Sequence, residues 1–320
     1  MTDIPTPALK RLPDFVIIGA GKSASTWLHL AMRQHPDIFM PETEIPFFEN
    51  PHYNSMNLGP LHDALAAAPA MARLGIKRPN YLCTPECAPR LACHLPEARL
   101  IAILRNPVDR AVSQYYHLIR SGRLSVRRPD VAFRDYLDGT FESPFAEQMI
   151  MGFGRYAEGL SNYFCHYPAE RILVMTDLDL ARGQESVFRR ACAFVGVSEN
   201  FVPADLSIRR NQGVYFSPLL SIIKSLNRRS NHFDPISGLN TPRTDLVGRA
   251  ASILALLGSR VSGVGRNFVR DQEAPVSDSV RARLLEYYMP DIIRLEDMLN
   301  VDLSAWKQVD SRSGRLPLAS

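Results

Sequence analysis

One short segment, residues 15–28 (FVIIGAGKSASTWL), constrains the fold of this 320-residue chain most strongly. Four apolar residues precede Gly19-Ala20-Gly21, and a helical apolar pattern begins at Trp27. This order predicts a buried strand, a tight turn and the start of a helix. The first N–H groups of a helix have no partner within it and carry partial positive charge, so the turn is expected to bind an anion. Lys22 adds a full charge, and Ser23, Ser25 and Thr26 add hydroxyl groups.

Two known classes of nucleotide-binding turn fit this segment in part. The end of the P-loop pattern G-x-x-x-x-G-K-[ST] matches Gly21-Lys22-Ser23, but its first glycine falls on Val16, inside the predicted strand. The loop is therefore too short to wrap a triphosphate.

The dinucleotide pattern G-x-G-x-x-[GA] matches at Gly19, Gly21 and Ala24. Glu42 and Glu44 follow roughly 20 residues later, where that class places its ribose-binding acid. The pattern does not require a lysine after its second glycine. This match leaves an NAD(P)-binding oxidoreductase as a remote alternative.

A second anion-binding element is predicted in residues 98–118 (ARLIAILRNPVDRAVSQYYHL). An apolar strand at 100–104 ends in Arg105-Asn106-Pro107, and proline is favoured in the first turn of a helix. Ser113 lies eight residues after Arg105, about two helical turns inward, so both side chains can reach one phosphate. Taken alone, the Arg-Asn-Pro sequence is also a common helix entry.

Together the two segments resemble the sulfotransferases that use 3′-phosphoadenosine 5′-phosphosulfate (PAPS). Residues 22–27 (KSASTW) resemble the family's Lys-Ser-Gly-Thr turn, with Ala24 in place of the usual glycine. Residues 105–116 resemble its 3′-phosphate motif R-[DN]-P-x-x-R-x-x-S-x-[YH].

Two further segments resemble the branch of that family that sulfates glycans. Residues 44–48 (EIPFF) are similar to its loop [NK]-E-x-x-F-F, whose glutamate is the catalytic base, so the resemblance implies that role for Glu44. Residues 76–81 (IKRPNY) are similar to E-K-[TS]-P-x-Y; Lys77 is kept, whereas Ile76 and Arg78 depart from the pattern. His52 is the alternative base if the chain belongs to a histidine-using branch.

The resemblance implies an α/β fold with a central parallel sheet flanked by helices and a P-loop-like turn that binds the phosphosulfate. It implies transfer of a sulfuryl group from PAPS to a hydroxyl or amine, with release of adenosine 3′,5′-bisphosphate and without a metal. The implied catalytic residues are Lys22, Glu44 and Lys77. The implied PAPS-binding residues are Gly21, Lys22, Ser23, Ala24, Ser25, Thr26, Trp27, Arg105, Ser113, Arg210 and Gly213, the last two in a loop that closes over the 3′-phosphate. Trp27 is expected to stack on adenine.

A glycan is the acceptor that the Glu44 segment favours, and a lipid or small secondary metabolite is the alternative. A catalytically inactive nucleotide-binding protein with the same fold is a further alternative, which the retained Lys22, Glu44 and Lys77 disfavour. The acceptor's identity and the oligomeric state stay open.

Composition excludes some classes of function. A net charge of +4 argues against a nucleic-acid partner, since such proteins concentrate basic residues on one face. The basic residues Arg120, Arg123, Arg127 and Arg128 form either a solvated face or a surface that receives an anionic acceptor. Five cysteines without zinc-ligand spacing are expected to be reduced thiols.

The sequence also predicts the cellular location of the protein and the organisation of its chain. No apolar stretch is long enough to span a membrane and no signal peptide precedes the first strand, so a soluble, cytoplasmic enzyme of the bacterial type is expected. We expect an N-terminal lead (1–13), a single sulfotransferase domain (14–310) and a tail (311–320), with a possible acceptor-side helical insertion at 216–275. Helices are predicted at 61–74, 85–95, 131–138, 144–166, 184–195 and 279–300, and Pro290 marks a candidate break in the last. A third strand is predicted at 171–175.

Overall fold

The computed structural model describes residues 11–125, 127–141, 143–204, 225–233, 240–250 and 276–309. Within these ranges a five-stranded sheet has the order β2-β3-β1-β4-β5, and every pairing in it is parallel. Its strands are β1 (Phe15–Gly19), β2 (Ile38–Phe39), β3 (Arg73–Lys77), β4 (Arg99–Leu104) and β5 (Ile172–Thr176). The predicted α/β architecture with a central parallel sheet is confirmed.

Helices connect these strands and cover both faces of the sheet. They are α1 (Ser25–Met32), α2 (Gly59–Leu65), α3 (Cys87–His94), α4 (Pro107–Arg120), α5 (Pro129–Leu137), α6 (Pro144–Ile150), α7 (Tyr156–Phe164), α8 (Asp177–Arg182), α9 (Gln184–Val195) and α10 (Asp278–Leu299). Short 3-10 helices span Tyr81–Cys83, Gly152–Gly154, Ala169–Arg171 and Ser304–Lys307. None of the helices in the described ranges is long and apolar enough to cross a membrane.

The core has two layers because successive side chains of a strand point to opposite faces. On β1, Phe15 and Ile17 face a cluster that includes residues of α1 and α9. Val16 and Ile18 face a larger cluster that includes residues of α3, α4, α7 and α10. All five residues of β1 are buried, as expected for the central strand of a parallel sheet covered on both faces.

Three predicted elements are corrected by the structure. The helix predicted at 61–74 is wrong, because α2 ends at Leu65 and β3 begins at Arg73. Pro69 lies between them and cannot continue a helix. The helix predicted at 144–166 is interrupted at Gly152–Gly154, between α6 and α7. The helix at the C-terminus is continuous through Pro290.

The structure describes parts of the segment 216–275, which was predicted as a helical insertion. Residues 225–230 and 246–250 are helical, and Asn231–Phe233 pairs in antiparallel register with Asn240–Pro242. This strand pair was not predicted. Arg210 and Gly213 lie outside the described residues, and the proposed domain boundaries stay predictions.

Candidate functional site

The predicted site residues meet at one edge of the sheet. Lys77 ends β3, Lys22 follows β1 and Arg105 follows β4, and these three strands are neighbours. Their carboxyl ends meet where the chain crosses from one side of β1 to the other. In open parallel sheets this crevice is where ligands bind.

The turn after β1 is built on left-handed backbone. Lys22 and Ala24 both have φ of 68°, and Ala24 is the residue that precedes α1. Residues with a Cβ avoid this conformation, which explains why a glycine is usual at the position of Ala24 in the motif that this turn resembles. No side chain caps the N-terminus of α1. Its first N–H groups therefore remain available to an anion.

The side chains of this turn divide between core and cleft. Ser23 and Ser25 are buried, and the Ser25 hydroxyl donates to the carbonyl of Ala20 at 3.3 Å. Thr26 is exposed. Trp27 is only 8% exposed and packs in the core with α9, so little of its ring is open to a ligand. Gly21 is half-buried in the turn.

Lys22 is surrounded by positive charge. The pKa of its ammonium is lowered to about 8, mainly by burial and then by the charges of Arg120, Arg105 and Arg110, while Glu44 opposes the shift. Within the described ranges Lys22 forms no hydrogen bond or ion pair. Burial and neighbouring cations both disfavour a charged ammonium, so an anion bound beside Lys22 would stabilise its charge.

Arg105 leaves β4 at the entry to α4. The side chain of Asn106 caps the helix by accepting from Val108 N at 3.0 Å and Asp109 N at 3.4 Å, and Pro107 begins the helix as predicted. Arg105 is half-buried, and its guanidinium has no hydrogen-bond or ion-pair partner in the part of the chain that the structure describes.

Helix α4 opens to the cleft along one narrow stripe. Eleven of its residues are buried, and the remaining three are Ser113, His117 and Arg120, at spacings of four and three. That spacing places them on one face of the helix. Burial lowers the pKa of His117 to about 3, with further contributions from Lys22, Arg120 and Arg123, so its imidazole is neutral at pH 7.

Arg110 of the same motif has a structural role. It is 1% exposed and donates to the carbonyls of Met149 (3.2 Å) and Ile150 at the end of α6. Its charge nevertheless reaches Lys22 and adds to the positive potential of the cleft.

Glu44 stands opposite, held by two cations. Lys77 Nζ lies 2.9 Å from Glu44 Oε1, and Arg78 Nη1 lies 3.0 Å from Glu44 Oε2. Lys77 Nζ also donates to Thr26 Oγ1 at 2.9 Å, which joins Glu44 to the turn after β1. The Glu44 side chain is 39% exposed, so it faces the cleft mouth while Lys77 is buried beneath it.

Arg78 is the site residue that sequence reasoning missed. In the sequence it stands out only as a departure from the Thr or Ser of the motif that residues 76–81 resemble. In the structure its Nε and Nη2 also donate to the Glu49 carboxylate at 2.7 and 2.6 Å, so one guanidinium orders two carboxylates. The available signal was the pair of glutamates five residues apart, opposite a motif in which arginine replaces a hydroxyl residue.

The loop that carries Glu44, residues 41–49, is fixed along its length. Its start is held by His29, whose Nε2 donates to the Pro41 carbonyl at 2.9 Å. Ile45 N donates to the Lys77 carbonyl at 3.2 Å. The Tyr81 hydroxyl donates to the Ile45 carbonyl and accepts from Phe48 N at 3.2 Å. Glu44 therefore sits on a rigid support.

Two other residues were predicted as candidates, His52 as the alternative base and Glu42 as a ribose-binding acid. His52 is exposed just beyond this loop, and its side chain forms no hydrogen bond with any described residue. Glu42, the possible ribose-binding acid, pairs with Arg33 at 2.8 Å, and Glu44 is engaged by Lys77 and Arg78.

The predicted basic cluster at 120–128 separates into two parts. The charges of Arg120 and Arg123 act on cleft residues, and burial, followed by the charge of Arg78, lowers the pKa of Arg123. Arg127 instead forms an ion pair with Asp135 at 3.1 Å, on the exposed side.

The chain is similar in sequence to known proteins. The sulfotransferase domain family matches residues 12–210, a range that includes every described site residue named above. Heparan sulfate glucosamine 3-O-sulfotransferase 3B1 of Mus musculus is 26% identical over 194 residues, which cover 59% of this chain and 47% of that protein. Membrane-associated sulfotransferase kil1 of Dictyostelium discoideum is 31% identical over 150 residues, covering 46% of this chain and 31% of that protein. The match thus spans less than half the length of either relative.

The fold has a counterpart among solved structures. A sulfotransferase from Alicyclobacillus acidocaldarius has a TM-score of 0.62 and 23% identity to this chain, covering 93% of this chain and 100% of that one. Since the family match extends over more than half of the sequence, the chain belongs to the sulfotransferase domain family.

Proposed function

We propose that this chain transfers a sulfuryl group from PAPS to a hydroxyl or amine of a glycan and releases adenosine 3′,5′-bisphosphate. The observation that carries the proposal is the set of unneutralised cations at adjacent strand ends. Lys22 and Arg105 have no partners among the described side chains, and the N-terminus of α1 beside them is uncapped. A ligand with negative charge at both ends of a nucleotide fits this arrangement.

Each end of the donor has its own residues in this proposal. The turn from Gly21 to Thr26 and the ammonium of Lys22 bind the 5′-phosphosulfate. Arg105 and Ser113 bind the 3′-phosphate, a group that ATP and NAD lack. Arg105 supplies a planar guanidinium, which matches phosphate geometry well.

Glu44 and Lys22 have separate roles in the proposed reaction. Glu44 accepts the proton of the attacking hydroxyl or amine as that atom forms its bond to sulfur. Lys22 donates to the oxygen that leaves as the bond from sulfur to the phosphate breaks. Lys77 orients Glu44 and holds it against Thr26, so the base and the anion-binding turn keep a fixed separation. Positioning and charge stabilisation of this kind are what a group transfer of this class requires.

Two observations support the proposal that the acceptor is a glycan. The segment around Glu44 resembles the loop of glycan-sulfating enzymes, and one relative is named for sulfation of a heparan sulfate glucosamine. Glu44 is exposed and His117 and Arg120 are half-buried, so together they offer a base and hydrogen-bonding groups to a polar acceptor.

Turnover gives the direct test. The purified chain is incubated with PAPS and, in parallel, with N-acetylheparosan, desulfated heparan sulfate, a sterol and a phenol. Bisphosphate release and the mass gain of one sulfuryl group are measured. We expect sulfation of a glycan, and Lys22→Met should lower kcat by about 10²–10³-fold, the effect of losing one preorganised donor. Turnover of the sterol or the phenol alone contradicts the glycan assignment, and a Lys22→Met protein of wild-type activity contradicts the mechanism.

A further inference from the structure

The peptide unit between Arg105 and Asn106 is bonded on both edges. On one edge the Tyr156 hydroxyl donates to the Arg105 carbonyl at 2.9 Å. On the other, the Asn106 N–H donates to Asp177 Oδ2 at 3.1 Å. This peptide therefore has little freedom to rotate, and rotation here would swing the Arg105 side chain.

The second edge is reinforced by residues far apart in sequence. Trp306 Nε1 donates to the other oxygen of Asp177, Oδ1, at 2.9 Å. The Asn106 side-chain amide donates to the Trp306 carbonyl at 3.3 Å. Asn106, Asp177 and Trp306 thus form a closed ring of hydrogen bonds, which we call the Asp177 clamp.

The Asp177 clamp lies in a well-packed environment. Trp306 is 1% exposed, and its ring centroid lies 6.2 Å from that of Tyr156. Asp177 is the first residue after β5, so the clamp joins the carboxyl end of a fourth strand to the three that carry Lys77, Lys22 and Arg105. The 3-10 helix at Ser304–Lys307 brings Trp306 to this position.

The Asp177 clamp fixes the backbone of Arg105 and leaves its guanidinium available to a ligand. Both carboxylate oxygens of Asp177 are occupied by N–H donors. The guanidinium of Arg105, by contrast, forms no bond to any side chain or carbonyl in the described ranges. An anchored backbone with an unpaired charged group is a preorganised binding arrangement, because the ordering cost is met before the ligand arrives.

We infer that Asp177 and Trp306 are positioning residues, which orient Arg105 so that it selects ligands with a 3′-phosphate. This inference rests on the proposed function. Neither residue touches the ligand in this proposal. Both act through the Arg105–Asn106 peptide, and the charge of Asp177 also interacts with that of Arg105, whereas Trp306 adds no charge.

Calorimetry with two nucleotides tests the clamp. The probes are adenosine 3′,5′-bisphosphate and adenosine 5′-monophosphate, and the readout is the ratio of their affinities. Asp177→Asn keeps the size of the side chain but leaves only one oxygen to accept, so one of the two N–H bonds is lost. We expect the ratio to fall about tenfold, equivalent to about 1.4 kcal/mol. The affinity for the monophosphate should stay within about twofold, because that ligand does not use Arg105.

Trp306→Phe is the second variant, since it removes the N–H donor and keeps an aromatic ring. It should lower the ratio in the same direction, so the inference does not depend on the folding of Asp177→Asn. Asp179→Asn is the matched control. Asp179 lies on the same helix and accepts from Thr176 N at 2.8 Å in a capping box, so its loss should lower the melting temperature and leave the ratio unchanged.

The outcomes separate the inference from the function on which it rests. A wild-type protein that binds both nucleotides equally contradicts the proposed function. A wild type that prefers the bisphosphate, with folded Asp177→Asn and Trp306→Phe proteins that keep the full preference, overturns the inference alone. In an Arg105→Ala background, Asp177→Asn should change the ratio no further, because coupled residues are not additive.

Discussion

The Lys77 ammonium lies 2.9 Å from the Glu44 carboxylate, and only 4% of the Lys77 side chain is exposed. The pair joins the end of β3 to the 41–49 loop, and Thr26 extends it to the turn after β1. These contacts restrict the movement of the Glu44 carboxylate. If Glu44 acts as the proposed base, they would supply the positioning that group transfer requires of a partly exposed side chain in a loop.

Replacing Glu44 tests its role as base. Glu44→Gln retains the size of the side chain but cannot accept a proton, and a positioned base contributes about 10²–10⁴-fold to rate. We expect kcat to fall by that range in a sulfuryl-transfer assay. Bisphosphate affinity, measured by calorimetry, should hardly change, because the proposed contact of Glu44 is with the acceptor and not with the nucleotide.

Glu49→Gln is the matched control for this variant. Glu49 is bonded to the same guanidinium of Arg78, yet it is more buried and has no proposed part in the chemistry. Glu49→Gln should lower the free energy of unfolding, and its effect on kcat should be smaller than that of Glu44→Gln. An equally large loss of kcat in both variants means that the Arg78 network, rather than proton transfer to Glu44, accounts for the effect.

The lowered pKa of Lys22 predicts a pH dependence of ligand binding. With a pKa of about 8 in the free protein, Lys22 is charged below pH 8 and loses its proton above it. An anionic ligand binds the charged form, so bisphosphate affinity should fall as pH rises through about 8. Titration calorimetry between pH 7 and 10 measures this, and Lys22→Met should remove the dependence across that window.

Arg120→Ala provides a second check on the same group. The charge of Arg120 contributes to the low pKa of Lys22, after burial. Removing it should raise that pKa, so the decline in affinity should begin at higher pH. A decline that stays at the same pH contradicts the assignment of the transition to Lys22.

The left-handed conformation at Ala24 predicts a stabilising substitution. A residue with a Cβ costs roughly 1–2 kcal/mol in this region, while glycine costs about 0.5–1 kcal/mol through its freer unfolded chain. Ala24→Gly should therefore raise the free energy of unfolding by up to about 1.5 kcal/mol in urea denaturation. Ala31→Gly, in the last turn of α1, removes a buried methyl group from a right-handed helical position and should lower it by about 1 kcal/mol. If both variants lose stability equally, Ala24 is not strained in the native protein.

Much of the fold could be predicted because its strongest signals are local. The apolar runs of β1 and β4 end in Gly or Arg-Asn-Pro, so strand, turn and helix follow within a few residues. Strand β3 was missed because an alanine-rich segment precedes it and five residues are too few to show a period. Pro69 and Gly75 were the signals against a helix there. The break at Gly152–Gly154 was likewise marked by two glycines within three residues.

Only the site residues that lie in local sequence motifs could be predicted. Lys22, Glu44, Lys77, Arg105 and Ser113 each lie in a recognisable pattern, and the sheet brings the strand ends that carry three of them together. The Arg78 link to two glutamates and the Asp177 clamp depend on contacts across 29 to 200 residues of sequence, which no local pattern records. The same limit applies to the stripe on α4, since its exposure depends on what covers the other faces.

The most direct test of the account is whether the 3′-phosphate is recognised by Arg105. Calorimetry compares adenosine 3′,5′-bisphosphate with adenosine 5′-monophosphate on the wild type and on Arg105→Ala. A charge-assisted hydrogen bond is worth about 1.5–3 kcal/mol, so the wild type should bind the bisphosphate at least about tenfold more tightly. Arg105→Ala should remove most of that difference and leave the monophosphate affinity nearly unchanged. Equal binding of the two nucleotides by the wild type would contradict the assignment of this cleft to PAPS.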